Sequence, residues 1–319
     1  MLQTIHDTPL LASTALADAA LEAPAQARAV DWVGMRGIAM PVQVGAADGS
    51  TMHVAASVDV AVDLLDPGTR GVHMSRLYLQ LQDFAEMRPL TAAGLQRLLQ
   101  LLIDSQRGLS SRARLTLRHP VLLRRPALTS DLAGWKSYPV ELHARLQAGR
   151  LRLEAGLSVD YSSTCPASAA LSRQANAERF AQHFDGMETV ETARAQGFLA
   201  SSAALAATPH AQRSRAEVRL LLCDGIDAPP WVDLIDCIEA ALGTPVQTLV
   251  KREDEQAFAR LNAAHLMFCE DATRRIAAAL QDRPEIDGYE VRVAHFESLH
   301  AHDAVAQVSG GKRDGFAPR

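Results

Sequence analysis

KREDEQAFARLNAAHLMFCED, residues 251–271, carries a helical pattern with acidic side chains at both ends. On one unbroken helix Glu255 and Glu270 lie about 60° apart around the axis but roughly 22 Å apart along it. No single small site holds both carboxylates at that separation. Either the helix breaks between them, near Asn262, or the two glutamates serve one site from different subunits. Both arrangements imply a composite polar pocket. Cys165, His210, His300 and His302, all distant in sequence, are its other candidate members.

Outward from this stretch, the chain of 319 residues is long enough for two ordinary domains, each with its own core. We divide it into a flexible N-terminal arm (1–27), a first half (28–162), a second half (163–309) and a disordered tail (310–319). With 32 basic and 37 acidic residues the net charge is -5, which disfavours nucleic acid and anionic membranes and favours a small-molecule substrate. Four cysteines at irregular spacing make no disulfide framework, and point to a reducing cytoplasm. The N-terminus lacks the basic start and apolar run of a signal peptide. No window reaches the eighteen or so uninterrupted apolar residues of a membrane span.

The first half reads as antiparallel sheet with one helix layer. VDWVGMRGIAMPVQV and MHVAASVDVAVDLL predict two strands, and RGVHMSRLYLQLQDF predicts a third, with a bulge near Ser75 to restore its phase. Thr91 caps a helix whose apolar face is Leu95, Leu98, Leu99 and Leu102. ARLTLRHPVLL, SYPVELHARL and LRLEAGLSVDY follow as strands, the last two joined by a hairpin at residues 147–150. In the second half Pro166 starts a helix that runs to about Phe184, with Cys165 at its N-terminus, where dipole and free N–H groups favour a thiolate. Residues 187–207 read as a weakly constrained helical flap. A strand (AEVRLLLC), a helix (WVDLIDCIEAAL) closed by Gly243, the 251–271 stretch with its following helix, and a final strand or strand pair complete the chain.

Cys223, Cys237 and Cys269 lie in apolar patterns and read as small buried hydrophobes; Cys165 reads as functional. His210 sits among small and polar neighbours, unlike a core histidine. His300 and His302, two apart, face one side if they lie on a strand, with Glu297 nearby. Cysteine, histidine and glutamate together suit a borderline divalent metal such as zinc, with a coordination position left open for water. Arg36, Arg70, Arg76, Arg213, Lys251 and Arg252 stand at element ends; charges so placed are ordinarily solvated, yet a guanidinium cluster at a metal pocket suits a phosphorylated substrate.

Eight motifs occur in order: VGM with a following PV, RGVHMSRLY, SYPV, SSTCP, HAQRS, VKREDEQAF, FCEDATRR and ESLHAHDA. Together they resemble the type IB GTP cyclohydrolase I family across nearly the whole chain. The resemblance implies an α+β, bimodular tunnelling fold, a homotetramer with sites at subunit interfaces, and conversion of GTP to 7,8-dihydroneopterin triphosphate and formate at the head of folate and deazaguanine synthesis. It implies one divalent metal per site, zinc, manganese or iron, held by Cys165, His210 and Glu255. Water activated by that metal adds at C8 of guanine, with Cys165, His300 and His302 as catalytic residues. Glu270 anchors the guanine edge, and Arg70, Arg76, Lys251 and Arg252 bind substrate. This chain reads CPASA where well-known members read CPCSK, so Ala167 replaces a second cysteine. Two other readings belong to different classes: a non-catalytic purine or pterin binder, and a nitrile reductase of the same fold. His300 stands where the reductase carries a lysine.

Overall fold

The computed structural model describes residues 19–45, 51–87 and 90–312. Eight strands form one antiparallel sheet in sequence order: β1 (Val30–Gly45), β2 (Thr51–Leu64), β3 (Arg112–Pro126), β4 (Ala133–Gln147), β5 (Arg150–Thr164), β6 (Ala211–Leu222), β7 (Ile286–His295) and β8 (Ala304–Gly311). Between β2 and β3 lie α1 (Met74–Met87) and α2 (Ala92–Ser105). Between β5 and β6 lie α3 (Pro166–His183) and α4 (Thr192–Leu199). Between β6 and β7 lie α5 (Trp231–Leu242), α6 (Arg252–Ala264) and α7 (Cys269–Gln281). The same plan occurs twice, a strand pair, helices and a second strand pair, with α3 and α4 inserted between the first two strands of the second copy. The sheet runs on unbroken between the two copies, and the division at 162/163 falls inside β5. None of the helices is long and apolar enough to cross a membrane.

Alternation along the strands separates two faces. On β4, Tyr138, Val140, Leu142, Ala144 and Leu146 are buried, while Trp135, Ser137, Pro139 and Arg145 between them are exposed. The buried face packs against Leu77, Leu95, Leu98, Leu99 and Leu102 of α1 and α2, and against Leu234, Ile238, Ile276 and Leu280 of α5 and α7, in one continuous core. Burying each such leucine contributes about 1.5–3 kcal/mol. The opposite face is polar. The β4–β5 turn has both central residues at positive φ, Ala148 at 51° and Gly149 at 73°, the twist that a two-residue hairpin requires. Antiparallel order also gives the sheet two rims. One carries the ends of β3, β5 and β7 and the starts of β4 and β6; the other carries the end of β2 and the start of β3.

Five expectations need correction. RGVHMSRLYLQLQDF is the helix α1: Leu77, Leu81 and Ala85 are buried at a spacing of four, the period of a helix, and that repeat outweighs the local alternation. The break after Glu255 falls at residues 265–268, since Asn262 still lies inside α6 and its Nδ2 donates to the Phe258 carbonyl. The tail expected from residue 310 starts later, because Gly310 and Gly311 belong to β8; residues 313–319 lie outside the described residues. Of the expected arm, residues 1–18 also lie outside them, but Ala20 and Glu22 accept backbone bonds from Gly71 and Arg70. The expected flap, residues 187–207, holds α4 and carries its own small core, in which Phe198 packs on Phe184 and Ala204.

Candidate active site

β5 and β6 pair from Glu154↔Leu221 to Thr164↔Ala211, so the residues just beyond that last pair meet at the rim. Cys165 donates its backbone N–H to the His210 carbonyl at 3.3 Å. Pro166, with no N–H to lose, opens α3 and leaves Cys165 as its N-cap, where the Ser168 N–H points at the thiol sulfur over 3.5 Å. The Ser168 hydroxyl in turn accepts from the His210 N–H at 3.1 Å, which locks the two segments together. The sequence expectation for Cys165 thus holds in local structure.

His210 is oriented by Gln212, which follows it on β6. Gln212 gives its amide N–H to Ser163 Oγ at 2.8 Å, so its carbonyl oxygen faces His210 Nδ1 at 3.0 Å as an acceptor. Nδ1 therefore carries the proton, and Nε2 keeps a lone pair for a cation. β7 brings a third group to this point. The Ser214↔His295 pairing and the bond from the Phe296 N–H to the Arg213 carbonyl carry Glu297 to 3.9 Å from His210 Nδ1. Glu297 Oε2 is buried and has no hydrogen-bond partner among the described residues, an arrangement that costs free energy unless a further group completes it. Glu297 was only a neighbour in the sequence reading; its signal was its place at the end of the final apolar strand.

The break between α6 and α7 adds a carboxylate. The Met267 N–H donates to the Thr164 carbonyl at 3.2 Å, which sets the turn beside Cys165 and starts α7 at the same rim. Glu270, in the first turn of α7, is exposed, and its own backbone N–H and the Cys269 thiol hold its carboxyl below the usual range. Cys269 is pushed up to about 11, chiefly by burial and then by that carboxylate, so it stays a thiol. His295, hydrogen-bonded to Tyr161 at 2.8 Å, is lowered to about 4 by burial, against the pull of Glu297 and Glu270.

Other expected site residues lie elsewhere. Glu255 is exposed in the first turn of α6, and among the described residues no three His, Cys, Asp or Glu side chains are grouped to hold a metal ion. Lys251 pairs with Asp131 at 2.7 Å, and Arg252 is exposed beside it. His300 and His302 are not on a strand but in the exposed β7–β8 loop, where their rings stack on each other at 5.2 Å. Arg70 and Arg76 follow the end of β2 at the opposite rim, bonded to Glu22 and to the Ser105 carbonyl. A strand of 15 residues such as β5 spans roughly 50 Å, so these arginines cannot reach a substrate at Cys165 of their own chain.

Cys165 and His210 nevertheless suit a cation in donor chemistry: a thiol at a helix N-terminus and an imidazole whose Nε2 points away from the Gln212 oxygen that holds Nδ1. A soft thiol and an oriented imidazole, faced by a carboxylate, are donor chemistry suited to metal-assisted hydrolysis of a polar substrate, and the purely antiparallel sheet lacks the parallel βαβ order of a dinucleotide-binding fold. The model of the type I GTP cyclohydrolase folE2 family matches residues 16–306. The GTP cyclohydrolase FolE2 of Pseudomonas syringae pv. tomato is 50% identical over 283 residues, 88% of this chain and 93% of that protein. The chain belongs to the type I GTP cyclohydrolase family of the FolE2 kind. Solved structures give a distant likeness: a hyper-thermostable AgUricase mutant (10% identical, TM-score 0.49, 90% of this chain and 94% of that one) and the uricase of Arthrobacter globiformis (9%, 0.47, 91% and 96%).

Proposed function

We propose that this chain is a type IB GTP cyclohydrolase, which opens the imidazole ring of GTP and releases formate and 7,8-dihydroneopterin triphosphate. The family membership supports the reaction, and the convergence of Cys165, His210 and Glu297 at one rim is the observation that supports this site for it. Cys165 and His210 hold a divalent cation, zinc, manganese or iron, which supplies Lewis acidity and lowers the pKa of water at guanine C8. Glu270 is ionised at neutral pH, and its carboxylate accepts the paired N–H groups of the guanine edge. The Glu297 oxygen left without a partner is positioned to take a proton or a hydrogen bond from the opened ring. Lys251 and Arg252 bind the triphosphate, and His300 and His302 transfer protons once the β7–β8 loop lies over the substrate.

The third ligand, Glu255, comes from a neighbouring subunit, as do any contacts by Arg70 and Arg76; a homotetramer of bimodular tunnelling-fold chains supplies both. Nucleic acid and membrane are not partners in this reading, and the enzyme works in the cytoplasm. Incubating purified protein with GTP and each metal in turn tests the whole proposal. Formate and a pterin that fluoresces after oxidation are the expected products. GTP returned intact with every metal overturns it.

A further inference from the structure

The polar face of the sheet is built mostly from complementary charges. One row across it reads Arg118↔Glu141↔Gly156↔Arg219↔Glu290 from β3 to β7, with Arg118 2.7 Å from Glu141 and Arg219 3.6 Å from Glu290. The adjacent row carries Asp59↔Thr116↔His143↔Glu154. The next row breaks the pattern. Arg114, Arg145 and Arg152 stand directly opposite one another on β3, β4 and β5. Like charges in register on neighbouring strands destabilise a sheet; Glu154 lies 3.5 Å from Arg152 but is shared with Arg219 at 3.1 Å, so among the described residues the row and its surroundings keep an excess of positive charge that suits an anion.

The surroundings fit one. A cavity of about 770 Å³ opens over this row, and its lining carries six arginines against two carboxylates, Asp59 and Glu154. Trp32 of β1 forms its wall, with the guanidinium carbons of Arg112, Arg114 and Arg145 at 4.8, 4.6 and 5.3 Å from the indole centre. Stacking on one rigid ring fixes the planar heads and leaves their N–H edges to donate. Arg145, the middle member, bonds only a neutral amide oxygen, that of Gln147 at 2.8 Å. Strands lie about 4.8 Å apart, so the row spans about 10 Å, the reach of a chain of linked phosphates rather than of a single one. Arg152 is twelve residues before Thr164 on β5, which puts the row roughly 40 Å from Cys165 in the same chain.

We infer that the Arg114–Arg145–Arg152 row, walled by Trp32, is a second anion site that takes a linear polyphosphate, either inorganic or carried by a nucleotide, apart from the rim where GTP reacts. Trp32 reports it. The metal-loaded enzyme is titrated with magnesium tripolyphosphate at constant ionic strength, and the emission of Trp32 is isolated by subtracting a Trp32→Phe variant. A saturable change is expected, with its midpoint shifted at least tenfold upward in Arg145→Gln, while turnover of GTP by that variant stays within twofold of the parent. Arg152→Gln repeats the test at an exposed position should the first variant fold poorly. Guanosine, which has no phosphate, leaves the signal flat; GTP reproduces it if the natural ligand is a nucleotide, and inorganic tripolyphosphate acts alone if it is not. Absence of a saturable signal with both polyphosphates, or an unchanged midpoint in both arginine variants, overturns the proposal.

Discussion

At the scale of single residues, His210 depends on Gln212 for its tautomer. Gln212→Leu removes the acceptor at Nδ1 and is expected to weaken metal binding by about 10–100-fold while the fold persists. Metal titration monitored beside circular dichroism reads both quantities. Glu270 makes a different claim, since in the proposed reading it meets guanine rather than the cation. Glu270→Gln leaves substrate N–H groups facing a poorer acceptor, at about 1–3 kcal/mol, so KM should rise about 5–150-fold with metal content unchanged. Loss of metal with normal GTP affinity would reverse the assignment. Cys165 and His210 were legible because each sits in a short motif beside a proline or an element start. Glu297 was not ranked with them, because nothing local in FESLHAH distinguishes a buried orphan carboxylate from a solvated one.

At the scale of elements, Asp254 ties α6 to the β3–β4 loop at the same rim as Cys165. Its carboxylate accepts from the N–H groups of Thr129, Ser130 and Lys251 and from the Ser130 hydroxyl, at 2.6–2.9 Å. The Ser130 hydroxyl leads the groups that hold its pKa well below the ordinary 3.8, and burial opposes them. A folded pKa below the unfolded one makes this contribution complete above about pH 4 and lost as pH falls further through the folded value. Asp254→Ala should therefore melt at a lower temperature than the parent at pH 7, and the gap should narrow toward pH 2 in thermal scans. A constant gap would show that the carboxylate charge is not what binds the β3–β4 loop. Elements were read well where one signal dominated, as with the caps at Thr91, Pro166 and Gly243. They were misread at α1, where a period of two and a period of four coexist and only packing against β1 and α2 chooses between them.

At the scale of the whole molecule, the proposed metal site needs a third ligand beyond Cys165 and His210. Cys165 and His210 share a rim while Glu255 stands exposed on α6, so a site completed by a neighbour predicts complementation between defective subunits. Glu255→Ala and Glu270→Ala proteins, each inactive alone, should regain up to about a quarter of parental activity after subunit exchange, as expected when random pairing restores both glutamates at one site in four. Mixed oligomers on native gels without formate release would assign both glutamates to one chain.

The sequence by itself determined the antiparallel α+β class, the strands from β1 to β6 and the helix start behind Cys165, because each is written in periodicity, turn chemistry or a cap within a few residues, whereas it left open whether a helix break or a second subunit separates Glu255 from Glu270. The motifs it carries also pointed to the family to which the chain belongs. Only the tertiary structure decided that Cys165, His210, Glu270 and Glu297 meet at one rim while Arg70 and Arg76 lie at the other, and that three arginines stand in register on the polar face. Those facts depend on strand pairing between residues as far apart along the chain as Ser214 and His295. Register is set by burying one face of the whole sheet at once, and no local stretch encodes which residue it will oppose.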